Sequence, residues 1–250
     1  MDMNIKEKFL SLWDTYFGAS ELPVICYYTD DAGSVESVAP SKKWSCLICE
    51  LARVRKGTSL AYDESAPGCG GAKRYLGFST GIMPKFEYFL SCGIPGEMEG
   101  ERYIRTPEMV LEYQKNLKQF SAPGKNIIFK RWDMLVESDN PEIVIFFATP
   151  DVLSGLFSLA NFDQTEPNST ITPFGSGCGS IIYYPYLEKD AARPRAVVGL
   201  FDPSARPCVP SDTLTFSVPM AKFVKMIDYM DESFLITDTW KKVLKRIKKK

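Results

Sequence analysis

Two short apolar segments rich in β-branched and aromatic residues, Leu22–Tyr28 and Ile143–Ala148, each lead towards a helix and then a glycine-flanked cysteine. The two loops are Gly68-Cys69-Gly70-Gly71 and Gly177-Cys178-Gly179-Ser180. This recurring order is the strongest constraint on the fold, because strand-type runs that alternate with helical periodicity predict a mixed α/β chain. The spacings agree as well. Ser45 precedes Cys69 by 24 positions and Leu153 precedes Cys178 by 25; Cys69 precedes the helix-opening Pro107 by 38 and Cys178 precedes Pro219 by 41. We therefore expect an α+β fold of two pseudo-repeated strand–helix–strand halves packed around a shared core. Residues 1–20 form an N-terminal helix in this reading, 21–118 the first half, 119–140 a connector, 141–232 the second half and 233–250 a basic tail.

Local signals fill in the elements. Met1–Phe17 is amphipathic, with Ile5, Phe9, Leu12 and Phe17 on one side. A helix is expected from about Trp44 to Lys56, with Ser41 or Ser45 as cap and Gly57 as stop. Ser59–Tyr62 reads as a short strand, and Thr106-Pro107-Glu108 opens a helix to about Lys118. In the second half a helix begins at Asp151. Strands are expected at Ile181–Tyr184, Ala196–Phe201 and Thr213–Val218, followed by a helix over Pro219–Met230.

Of the 250 residues, 45% are hydrophobic, enough for a core without disulfide staples. No apolar run approaches the ~20 residues of a membrane-spanning helix, and no segment near Met1 has the apolar character of a secretory leader. A cytoplasmic location is expected, with the seven cysteines serving as thiols or ligands in preference to a disulfide framework. Histidine is absent, which excludes Cys-His and Ser-His-Asp hydrolases, His-bearing zinc sites and His-ligated haem. The net charge is −1, but residues 241–250 hold seven Lys or Arg and no acid. The rest of the chain is acidic, so no specific nucleic-acid partner is expected. The tail places Trp240, Val243, Leu244 and Ile247 at helical spacing, and reads as a terminal helix docked on its own acidic body.

The chemistry centres on cysteine. Cys46 and Cys49 form Cys-x-x-Cys at a helix start, where free N–H groups and the helix dipole favour thiolate. Cys69 and Cys178 sit in glycine loops whose bare backbone can approach a ligand, as Gly68, Gly70, Gly71, Gly177 and Gly179 allow. Thiolates flanked by such donors suit an iron–sulfur cluster or a soft metal. Candidate metal ligands are therefore Cys46, Cys69, Cys178 and Cys49, with Arg53 and Lys73 as counter-charges to a small anionic ligand. Cys26 and Cys92 read as packing residues.

Trp44-Ser45-Cys46 through Ala52-Arg53, Gly68-Cys69-Gly70-Gly71-Ala72 with Leu76-Gly77, and Gly177-Cys178-Gly179 through Val197–Phe201 to Val218-Pro219 resemble the uncharacterised prokaryotic family called domain of unknown function 169. The resemblance spans roughly Leu22 to Met230. It implies that Cys46, Cys69 and Cys178 occupy recurrent family positions, whereas Cys49 and Cys208 are not matched to such positions, and it carries no activity with it. Two functions follow from the residues: a metal- or cluster-binding redox protein with a redox partner, or a non-catalytic small-molecule-binding or sensor module with structural cysteines. Nucleophilic thiol chemistry is a third.

Overall fold

A computed structural model describes residues 1–18, 20–40 and 43–249; the candidate cap Ser41 and the last tail residue, Lys250, lie outside the described residues. The chain opens with α1 (Met3–Phe17), β1 (Val24–Thr29) and β2 (Glu36–Ser37). Next come α2 (Leu47–Arg55), β3 (Leu60–Tyr62), α3 (Gly70–Tyr75), α4 (Phe86–Phe89), α5 (Pro107–Asn116) and β4 (Asn126–Arg131). The remainder comprises β5 (Ile143–Ala148), α6 (Pro150–Ala160), β6 (Thr170–Ile171), α7 (Tyr184–Glu188), β7 (Ala196–Gly199), β8 (Leu214–Pro219), α8 (Met220–Asp228) and α9 (Asp238–Ile247).

The eight strands among the described residues form one sheet in the order β2-β3-β4-β1-β5-β8-β7-β6. The two outermost pairs, β2–β3 and β6–β7, are parallel and the inner pairs are antiparallel. A parallel pair needs a crossover, and both crossovers here are helical. β2 reaches β3 through α2, and β6 reaches β7 through a helix that passes through a π-helical stretch, Gly179–Tyr183, into α7.

The sheet is covered on both faces, which explains why β5 is buried at every position. Successive side chains of a strand point to opposite faces. Val144, Phe146 and Ala148 accordingly join a core with Phe9 and Trp13 of α1, Leu156 of α6, Phe223 of α8 and Trp240 of α9. Ile143, Ile145 and Phe147 face the other way, onto Leu47, Ile48 and Leu51 of α2, Ala72 of α3 and Ile181 and Ile182 of the second crossover. All the cysteines named above as candidate ligands lie on this second face.

Several expectations need correction. The first-half helix starts at Leu47 and not at Trp44; Ser45 does not cap it, and Cys46 holds the N-cap position without a side-chain cap bond. Ile181–Tyr184 is helical where a strand was expected. A short buried β-branched run cannot be told from a buried helix by periodicity, and here Ser176 Oγ accepts the Gly179 N–H at 3.2 Å and starts the helix. Residues 119–140, read as a connector, carry β4, which pairs with β1 along its whole length. The α5 boundary is as expected, with Thr106 capping the Met109 N–H at 3.3 Å and Pro107 in the first turn. The tail folds as expected too: Trp240 is buried and donates from Nε1 to Tyr16 O at 2.7 Å. No described helix is long and apolar enough to cross a membrane.

Candidate metal centre

The N-terminal turn of α2 is the hub of the site. Cys46 is its N-cap residue and Cys49 lies in its first turn, one helical turn away and on the same side. Cys208 arrives from the far end of the chain, in a 3-10 turn over Arg206–Cys208 between β7 and β8. That loop is pinned by the Arg206 guanidinium, which donates to the carbonyls of Thr213 and of Ser211, the latter at 2.8 Å. Cys49 and Cys208 are joined by a disulfide, with Cα atoms 4.7 Å apart across a sequence separation of 159. This corrects the expectation that every cysteine is a free thiol. The sulfur atoms of Cys46, Cys49 and Cys208 all lie within 4.8 Å of one another, and Cys49 is the exposed member.

Cys69 and Cys178 stand outside that compact group but beside it. Their neighbouring glycines explain why. A Cβ at Gly68 would lie 2.2 Å from Ser45 Oγ and 2.8 Å from the Ser45 nitrogen. A Cβ at Gly177 would lie 3.2 Å from Ile48 Cγ1 and 3.2 Å from the Ala205 Cβ. Both glycines therefore let a loop press against the start of α2, next to Cys46 in one case and between α2 and the Cys208 loop in the other. The close packing at these two glycines is thus against the protein's own α2, where ligand approach was the expectation. Among the other glycines of the two loops, a Cβ at Gly70 would meet open space and one at Gly71 would make ordinary contact with the Cys69 sulfur at 3.7 Å, while one at Gly179 would lie 3.2 Å from the Tyr75 ring.

Burial decides the charge of these two thiols. It raises the Cys69 pKa above the ordinary thiol value, although the Ala72 N–H, which donates to the sulfur at 3.2 Å, and the Gly71 N–H pull the other way. Cys178 is pushed well above that value, first by burial and then by the nearby sulfurs of Cys69 and Cys46. The thiolates expected in the glycine loops are therefore thiols when no cation is present. Arg53 is already engaged by Glu36 at 2.6 Å on the surface. Lys73 belongs to the last turn of α3.

Sequence reasoning thus found Cys46 and Cys49 and missed Cys208. The only local signal at Cys208 is its setting in Arg206-Pro207-Cys208-Val209-Pro210, a cysteine in a stiff proline turn. Cys26 lies on β1, fully buried, as a packing residue should, whereas Cys92, expected to pack in the same way, is exposed.

Once reduced, these three cysteines could hold one metal ion; as the structure stands, Cys49 and Cys208 are bonded to each other. With metal–sulfur bonds of about 2.3 Å, ligand sulfurs around a tetrahedral ion sit ~3.8 Å apart, a separation that Cys49 and Cys208 can take only when their disulfide is open. Residues 15–229 match the family DUF169, described as Uncharacterised ArCR. No curated protein and no solved structure matches the chain.

Proposed function

The chain belongs to the DUF169 family, and from that premise we propose that it binds one soft metal ion through the thiolates of Cys46, Cys49 and Cys208. The observation that carries this reading is the mutual approach of the three sulfurs within 4.8 Å. With the Cys49–Cys208 disulfide reduced, the trio leaves one tetrahedral position for solvent or a small substrate. The exposure of Cys49 gives the ion a route in. Cys178 is buried in the same apolar cluster as Ile48 and Leu200 and takes no part as a ligand in this reading. A reducing cytoplasm fits this use of the cysteines.

The reading of two related halves is supported by the sheet, whose order and strand directions read the same from either edge. β1, β2, β3 and β4 then correspond to β5, β6, β7 and β8. On that pairing Cys46 and Cys178 both open crossover helices, and Cys69 and Cys208 both follow the strand that comes next. Cys69 thus answers to Cys208 and not, as its glycine-flanked surroundings suggest, to Cys178.

The test is anaerobic titration of the reduced protein with Cd²⁺ or Co²⁺, followed through the thiolate-to-metal absorption. We expect one ion per chain, lost in Cys46→Ser, Cys49→Ser and Cys208→Ser. A reduced, folded protein that takes up neither ion overturns the proposal.

A further inference from the structure

The same three sulfurs have a second chemistry, and this inference rests on the metal reading. Cys49 and Cys208 cannot be thiolate ligands while bonded to each other, yet they sit where both uses are open to them. Their Cα separation of 4.7 Å lies in the range a disulfide requires. Their sulfurs and that of Cys46 also lie within 4.8 Å of one another. The three members differ in access: Cys49 is exposed, while Cys46 and Cys208 are half-buried.

We propose that the centre is redox-gated by thiol–disulfide exchange with a low-molecular-weight disulfide. The exposed Cys49 thiolate attacks one sulfur of the small disulfide, forming a mixed disulfide and expelling the first small thiolate. The Cys208 thiolate then attacks the Cys49 sulfur, closing the Cys49–Cys208 bond and expelling the second small thiolate. The protein loses two electrons and the small disulfide gains two. Two of the ion's three thiolates are consumed, and the metal leaves. Two equivalents of small thiol reverse each step. Cys46 stays reduced throughout and holds the third ligand in place at the head of α2.

The experiment adds oxidised glutathione to the Cd²⁺-loaded full chain under anaerobic conditions. Free Cd²⁺ and the mass of the Cys49 and Cys208 peptides are read together. We expect Cd²⁺ release in step with loss of two hydrogens from that cysteine pair, and recovery of binding on reduction. The oxidised chain should bind more than ~100-fold more weakly, exceeding the loss that follows removal of a single supporting partner. Cys208→Ser should stop at a glutathione adduct on Cys49. Wild-type mass analysis answers the question without that variant if it fails to fold. Equal Cd²⁺ affinity of the oxidised and reduced chains, or failure of the pair to close, overturns the gate. A pair that closes in a chain that binds Cd²⁺ in neither state overturns the metal reading instead.

Discussion

Gly68 lies against Ser45 so closely that a Cβ on the glycine would come within 2.2 Å of the serine Oγ and 2.8 Å of its backbone nitrogen. The backbone cannot move aside as a flexible side chain can. Gly68→Ala should therefore push the Cys69 loop away from the head of α2, costing about 1–3 kcal/mol by overpacking. Urea denaturation would measure the loss. Metal titration should show weakened binding in the same variant, since Ser45 adjoins Cys46.

Cys178 provides a contrast with the trio. It is buried in the core on the same face of the sheet and lies outside the group of three sulfurs. Cys178→Ala should leave Cd²⁺ stoichiometry at one per chain, whereas Cys46→Ser should abolish it. Absorbance titration of the two variants side by side checks this. Loss of binding in both would place Cys178 among the ligands.

On the opposite side of the molecule, Asp139 is the buried anchor of a polar network. It accepts from Lys130 Nζ at 2.6 Å, Tyr27 Oη at 2.6 Å and the Val136 N–H at 2.8 Å. Burial works to raise its pKa, but the bonds from Lys130, Tyr27 and Val136 outweigh it and hold the carboxyl below its usual value of 3.8. The folded state thus binds its proton less readily than the unfolded chain. The resulting stability is fully present above the unfolded value and is lost as pH falls through the lower folded one. Asp139→Asn leaves the Lys130 charge buried without its partner and should cost about 3–5 kcal/mol near neutral pH. The variant's stability should also fall less steeply with acid, as denaturation curves at several pH values would show.

Trp240 holds the terminal helix down. Its ring edge packs on Gly155, where a Cβ would meet it at 2.4 Å, and against Phe17 at a ring distance of 5.3 Å. Trp240→Ala should cost about 3–5 kcal/mol. It should also expose the Lys- and Arg-rich α9 to trypsin, so limited proteolysis would trim the variant's tail sooner than the wild type's.

How legible all this was depended on whether the signal was local. α5 could be read from Thr106 and Pro107, α6 from Pro150 and Asp151, and β5 from six consecutive apolar residues. Ile181–Tyr184 misled because burial on all sides erases the difference between helix and strand periodicity. β4 did carry a signal, Ile127-Ile128-Phe129, but it fell inside a stretch assigned to linkage between halves. Cys46 and Cys49 were visible because one turn of helix brings them together. Cys208 was not, since only the sheet order returns the β7–β8 loop to α2 across 159 residues.

The sheet ends on both sides in strands of two residues, Glu36–Ser37 and Thr170–Ile171. A long flat edge offers a row of free amides and carbonyls on which a second chain can add a strand, and very short edge strands deny it that template. The rim that completes each parallel crossover therefore also guards against edge-to-edge aggregation, leaving the ends of an eight-stranded sheet with little for a neighbour to grip.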